Sequence, residues 1–180
     1  MIDDVVDPLA ATHRWLERAV IGLNLCPFAK AVYGKQQIRF VLSGASTPEA
    51  LLAQLGEEML LLRDTPAEQI DTTLLVHPGV LTDFLDYNDF LELADGLIDT
   101  LQLDGVLQVA SFHPDYQFAG SAPDDIENFS NRAPYPTLHL LREDSVSRAV
   151  EAFPEPEAII ERNAETLRRL GRDGWEALFA

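Results

Sequence analysis

The segment 111–136 constrains the fold of this chain most strongly, because it separates two predicted strands yet shows little apolar periodicity of its own. It contains four prolines and five aromatic residues. Long loops inside compact domains are uncommon and are usually either functional or disordered. Disordered segments are poor in aromatic residues, so we predict an ordered loop in which Phe112, Phe118 and Phe129 are mostly buried.

Helical and strand patterns alternate along the rest of the sequence. We predict strands at residues 37–42, 72–76, 105–112 and 137–142. We predict helices that begin at Pro8, Pro48, Asn88, Asp144 and Pro156. This alternation predicts a single-domain α/β (or α+β) sandwich of about four strands covered by helices, with a long ordered loop after the third strand.

The charge balance narrows the range of partners. The chain of 180 residues has 13 Lys and Arg against 30 Asp and Glu, for a net charge of -17. Nucleic acids and anionic membrane surfaces both attract basic residues, so neither is an expected partner. No apolar run approaches the roughly 18 residues of a membrane helix, and no basic segment resembling a signal peptide opens the chain. With a single cysteine and hence no intramolecular disulfide, we expect a soluble cytoplasmic protein.

Two predicted strands end in the same dipeptide, His77-Pro78 and His113-Pro114. Ligands of open α/β sheets bind beyond the carboxyl ends of the strands. If the second and third strands are parallel neighbours, both histidines lie at one edge of the sheet. His113 is then a candidate general acid or base, because its ordinary pKa lies near neutral pH, and His77 is a candidate substrate-binding residue. The alternative is two turns that begin with histidine.

Arg132 is the candidate anion-binding residue of the 111–136 loop. Positive charge is scarce in this chain, so an arginine in a proline-stiffened loop is either a structural tie to nearby carboxylates or a clamp for an anionic ligand. Asn131 is predicted to orient the same anion, and Tyr116 and Tyr135 are predicted to wall the pocket. Because the loop leaves and rejoins the sheet, we expect Arg132 and His113 to approach one shared pocket.

Cys26, the only thiol, follows the predicted end of the first helix, where the helix dipole opposes formation of a thiolate. Its neighbours Leu25, Pro27 and Phe28 are apolar and predict burial and low reactivity. The alternative is a catalytic nucleophile or redox residue that lines the same pocket as His113.

Motifs for metals and nucleotides do not appear in the sequence. HExxH and CxxC spacings are absent. A metal site built from His77, His113, Asp115 and either Asp124 or Asp125 has only weak support, so no metal is predicted. The sequence contains neither a G-x-G-x-x-G motif nor a P-loop, and the cofactor, if any, is unknown.

Three stretches, LNLCPFA, SFHPDYQF and NRAPYPTLHLLRE, resemble a bacterial family described as a domain of unknown function, DUF1415. The resemblance covers nearly the whole chain. It implies a single-domain architecture and a bacterial, cytoplasmic setting. It implies no activity, cofactor or catalytic residue, so the candidate site rests on the individual residues.

Two functions fit these residues. The first is an enzyme acting on a small polar or anionic metabolite, with His113 as acid or base and Arg132 as anion clamp. The alternative is a non-catalytic binding or structural module that uses the 111–136 loop. An enzyme predicts polar side chains converging in a concave pocket, whereas a protein-binding module predicts an exposed apolar patch. The substrate and the oligomeric state stay open.

Overall fold

The structure, a computed structural model, describes residues 6–153 and 155–180. Its sheet has four strands, which are β1 Ile38–Leu42, β2 Thr72–Val76, β3 Leu107–Phe112 and β4 Thr137–Arg142. The spatial order is β1-β2-β4-β3. Strands β1 and β2 are parallel, and β4 is antiparallel to both β2 and β3. The condition that β2 and β3 are neighbours is therefore wrong: they run in the same direction, but β4 lies between them.

Helices cover the sheet. They are α1 Pro8–Trp15, which continues as a π-helix over Leu16–Ile21, α2 Ala29–Gly34, α3 Pro48–Asp64, α4 Phe84–Thr100, α5 Glu143–Ala152 and α6 Pro156–Ala177. The predicted fold class, an α/β sandwich with four strands and a long loop after the third strand, is confirmed. No helix among the described residues is both long and apolar enough to cross a membrane.

Local capping explains where several helices begin. Asp7 accepts a hydrogen bond from the amide of Leu9 at 3.0 Å, and Thr47 accepts one from Ala50 at 3.2 Å, so α1 and α3 begin at the predicted prolines. The predicted start of α4 at Asn88 was wrong. Asp83 caps this helix instead, one turn earlier, because an aspartate directly before an apolar stripe satisfies the free amides of the first turn.

The strands present alternating side chains to two apolar layers. Leu75, Leu138 and Leu140 face α3 and α4, where they are fully buried with the leucine stripe of α3. The opposite face carries Phe40 and Phe112, which pack against α1, the π-helix and the end of α6. Each large side chain removed from water in this way contributes about 1.5–3 kcal/mol. Helices therefore cover both faces of the sheet.

The long loop leaves the sheet at the end of β3 and rejoins it at the start of β4, so both of its ends lie at one edge of the sheet. Val76 and Phe112, the last residues of β2 and β3, both pair with Thr137, the first residue of β4. Within the loop, residues Ile126–Asn131 form a 3-10 helix. Phe129 is buried there as predicted, whereas Phe118 is 39% exposed. The predicted burial of Phe118 was wrong, because it lies at the outer turn of the loop beside Tyr116 rather than against the sheet.

Candidate functional site

The two strand-ending histidines flank β4 at the same edge of the sheet. The backbone amide of His77 donates to the carbonyl of Pro136 at 2.9 Å, and that of His113 donates to Asn131 at 3.1 Å. Both side chains are fully buried. Their rings pack against Tyr87 of α4, with centroids 5.8 Å away for His77 and 4.9 Å away for His113.

Hydrogen bonds to the loop between β2 and α4 fix the orientation of both imidazole rings. Nδ1 of His77 donates to the carbonyl of Val80 at 2.9 Å, and Nε2 of His113 donates to that of Leu81 at 3.0 Å. Nδ1 of His113 accepts from the amide of Asp115 at 3.0 Å, so both ring nitrogens of His113 are engaged within the protein. Burial lowers the pKa of His77 to about 4, and burial also lowers the pKa of His113. His77 is therefore neutral at pH 7, and the hydrogen bond that Nδ1 of His113 accepts requires that this nitrogen carry no proton.

Tyr87 is the polar centre of this cluster, which the sequence analysis did not identify. Its hydroxyl donates to the carbonyl of Thr137 at 2.7 Å and accepts from the amide of Phe112 at 3.1 Å. Burial raises the pKa of Tyr87. The hydroxyl thus bridges β3 and β4 at the last residue pair of their ladder. Together with the two histidines it forms a network that holds the strand ends in place.

Arg132 lies on the other side of the loop, where backbone groups fix its guanidinium. Nε donates to the carbonyl of Tyr116 at 3.1 Å, and Nη2 donates to that of Pro123 at 2.6 Å. The guanidinium carbon sits 4.6 Å from the centre of the Phe129 ring, a cation–π contact. No carboxylate of residues 6–153 and 155–180 forms a salt bridge with it. Because a guanidinium has five N–H donors, three of them have no bond to the described residues.

The other predicted substrate-binding residues hold the loop together. The side chain of Asn131 donates to the carbonyl of Ser111 at 3.1 Å and so ties the two ends of the loop. Tyr116 gives its carbonyl to Arg132, and its ring packs 5.3 Å from Phe84. Tyr135 is half-buried, and its carbonyl accepts from the hydroxyl of Thr137 at 2.9 Å. Among the predicted substrate-binding residues, Arg132 is the one that lines an open cleft.

That space is a cleft of about 770 Å³ between α1, the 111–136 loop and the end of α6. We call it the arginine cleft. Its walls are formed by Val6, Asp7, Ala10, Ala11, Arg14, Trp15, Pro114, Phe129, Arg132, Ala133, Pro134, Arg172, Trp175, Glu176 and Phe179. Its volume falls within the roughly 300–1,000 Å³ of typical small-molecule sites. A smaller depression of about 390 Å³, beside the ends of β1 and β2, has no charged side chain in its walls.

Two helices bring charge and rings to the arginine cleft. On α1, Asp7, Ala10, Ala11 and Arg14 share one face at helical spacing, and the two alanines leave the space between the charged ends open. Gly171, with a left-handed φ of 70°, breaks the regular path of α6. Gly171 is thus a kink, after which the helix continues along the cleft.

Beyond the kink, the end of α6 packs on the 3-10 helix of the loop. The rings of Trp175 and Phe129 lie 5.4 Å apart edge to face. Arg172 lies over the same Phe129 ring at 5.9 Å. Burial lowers the pKa of Arg132, and the positive charge of Arg172 acts in the same direction, while Asp115 opposes both effects. Two arginines therefore approach each other in the wall of the cleft.

Sequence reasoning missed Arg14, Trp15, Arg172 and Trp175. One signal was present: both tryptophans of the chain, and three of its 13 basic residues, line the arginine cleft. Scarce residue types are informative when they share one place. Because these residues lie near opposite ends of the chain, their positions in the sequence did not indicate that they line one cleft.

Cys26 is exposed, so its predicted burial was wrong. Asn24 adopts a left-handed φ of 53° in the turn that follows the π-helix, and Leu25 takes the buried position after it. The carbonyl of Leu25 accepts from the side chain of Asn163 at 2.8 Å. The turn thus directs Cys26 outward, and it does not line the arginine cleft. No group of three or more potential metal ligands occurs among the residues described.

A family model described as "Protein of unknown function (DUF1415)" matches residues 7–177. The chain belongs to the DUF1415 family. The match spans all but two of the residues that line the arginine cleft. No curated protein and no solved structure matches the chain. The geometry of the cleft is therefore the basis on which a function can be proposed for this DUF1415 protein.

Proposed function

We propose that this DUF1415 protein binds a small ring-bearing anion, a carboxylate or a phosphate, in the arginine cleft. The observation that carries the proposal is the state of Arg132. Its guanidinium is oriented by two backbone carbonyls and one aromatic ring, carries no carboxylate partner among the described residues, and borders the cleft. An arginine oriented in this way is suited to forked hydrogen bonding with a planar or tetrahedral oxyanion.

Electrostatics support the same location. With a net charge of -17, the surface of the chain as a whole repels anions. Arg14, Arg132 and Arg172 give the cleft three positive side chains against the two carboxylates of Asp7 and Glu176. Arg172 lies close enough to lower the pKa of Arg132, while Asp115 and Asp124 oppose this effect. An anion bound between the two arginines would interact favourably with both. Asp7 and Glu176 limit the positive charge, and Glu176 already pairs with Arg172 at 3.5 Å.

The aromatic walls support a ligand that carries a ring. Four aromatic side chains line the cleft. Two of them, Trp175 and Phe179, are partly exposed and offer apolar surface next to the arginines. Such a combination of apolar walls and a few placed charges is typical of small-molecule sites.

The hypothesis of an enzyme with His113 as acid or base has less support. Both of its ring nitrogens are hydrogen-bonded within the protein, it is fully buried, and it does not line the cleft. A general acid or base needs a ring nitrogen within reach of the substrate. Cys26 is also outside the cleft. We therefore propose binding, and we assign His77 and His113 to the support of the sheet edge.

Intrinsic fluorescence tests the proposal directly, because both tryptophans of the chain line the cleft. We would titrate the protein with benzoate and with phenyl phosphate, using benzyl alcohol as a neutral ring. We expect saturable fluorescence changes with at least one of the two anions and none with the alcohol, and weaker binding at high salt.

Matched variants locate the site. We expect Arg132→Gln to weaken binding about tenfold or more, because it removes a charged forked donor. Arg14→Gln should weaken it about threefold, since Arg14 is more exposed. Arg63→Gln has the same charge change on α3, where Arg63 pairs with Asp64 outside the cleft, and should bind like the wild type. Equal affinity in all three variants, or no response of the wild type to either anion, would refute the proposal.

A further inference from the structure

Trp15 lines the arginine cleft, and its side chain carries a buried hydrogen-bond donor without a partner. The residue is 2% exposed, and its ring packs edge to face on Phe112 at 5.1 Å. Its indole Nε1 is buried and has no acceptor among the described residues. The neighbouring Arg14 lines the same cleft.

An indole N–H can only donate, and an unpaired buried donor is costly, so proteins rarely leave one without a partner. Four side-chain atoms are buried without a partner in the described part of the chain, and they belong to Trp15, Thr73, His77 and Arg162. Of these residues, Trp15 alone borders the arginine cleft. The residue that carries the orphaned donor thus lines the same cleft as the three arginines.

We infer that the indole N–H of Trp15 donates to an oxygen of the bound anion, so that the cleft selects an oxyanion held jointly by Trp15 and Arg132. The inference rests on the proposed function. It adds a neutral donor to the charged ones. A carboxylate or phosphate has enough acceptor lone pairs to satisfy both residues at once, and the bound state then removes the unpaired donor of the free protein.

The test removes the donor and keeps the ring. Trp15→Phe should weaken binding of benzoate or of phenyl phosphate about tenfold, measured by calorimetry. Trp175→Phe is the matched control, since Trp175 lines the same cleft but its indole nitrogen is not among the buried unpaired atoms. It keeps an aromatic ring in the wall of the cleft, so it should weaken binding less than Trp15→Phe does.

A second variant covers the case in which the smaller phenyl ring disturbs the packing of α1. In the Trp175→Phe background, tryptophan can be replaced biosynthetically by β-(3-benzothienyl)alanine, which keeps the bicyclic shape and lacks the N–H. We expect the same tenfold loss there, with the melting temperature of the free protein retained.

The outcomes separate the inference from the proposed function. If Arg132→Gln weakens binding but neither change at position 15 does, the role of Trp15 is wrong and the anion site stands. If position 175 proves as sensitive as position 15, the effect belongs to the rings and the inference is overturned. If neither anion binds the wild type, the proposed function and the inference both fail.

Discussion

Replacing His77 with asparagine should make the free energy of unfolding less sensitive to acid. His77 is fully buried, and burial lowers its pKa from 6.5 to about 4. Its neighbour His113 lowers it further, while the carbonyl of Val80 opposes the shift. In the unfolded chain a histidine titrates at about 6.5. Between these two values, the unfolded state binds a proton that the folded state does not.

The sign and size of the effect follow from this difference. Stability rises with pH wherever the unfolded state binds more protons. The contribution of His77 is therefore intact above about pH 6.5, and it falls as the pH drops towards the folded pKa of about 4. At about 1.4 kcal/mol for each pH unit, the wild type should lose about 2 kcal/mol between about pH 7.5 and pH 5 through this residue alone.

Urea denaturation at several pH values measures this loss. In His77→Asn the side-chain amide can still donate to Val80, but it does not titrate. The difference between the two stability curves cancels contributions that both proteins share, including the relief of negative charge in acid. That difference should shrink by about 2 kcal/mol on acidification. Asn88→Ala, on an exposed position of α4, should follow the wild type in parallel. Parallel curves for His77→Asn as well would show that folding leaves the pKa of His77 unchanged.

Two further predictions concern the loop and the thiol. Asn128→Ala should lower the free energy of unfolding by about 2–3 kcal/mol and make the 111–136 loop susceptible to proteolysis. The reason is that the buried amide of Asn128 forms hydrogen bonds with Phe118, Ser121 and Ala122. A denaturation midpoint as high as that of Asn88→Ala would contradict this prediction. Cys26 is exposed, so a colorimetric thiol reagent should label the native protein completely within minutes at about pH 8. Slow labelling that speeds up only in denaturant would contradict this prediction.

Local chemistry accounts for the parts of the fold that the sequence predicted. The caps at Asp7 and Thr47 act within one helical turn, and β2 and β4 have the predicted bounds because strand-forming runs continue between clear turn signals. The prediction of an ordered loop followed from its aromatic content. Asn128, the buried side chain that bonds three loop residues, could not be distinguished from other asparagines by sequence.

The candidate site depended far more on long-range structure. Sequence reasoning identified Arg132 as unusual, but its state depends on Tyr116, Pro123 and Phe129, which only the folded loop brings around it. The sequence also indicated that His113 follows the end of a strand. The carbonyl that accepts a hydrogen bond from its ring, however, belongs to Leu81, in the loop that follows a different strand. The role of His113 therefore changed once its partner was visible.

The sequence by itself determined the kinds of elements, their approximate bounds and the excess of negative charge. The tertiary structure alone decided that β4 lies between β2 and β3, that Cys26 faces outward, and that Arg14 and Arg172 meet Arg132 in one cleft. The physical reason is the range of the interactions involved. Capping, turn and periodicity rules act over a few residues, whereas strand order and the assembly of a cleft depend on packing between segments that lie far apart in the chain.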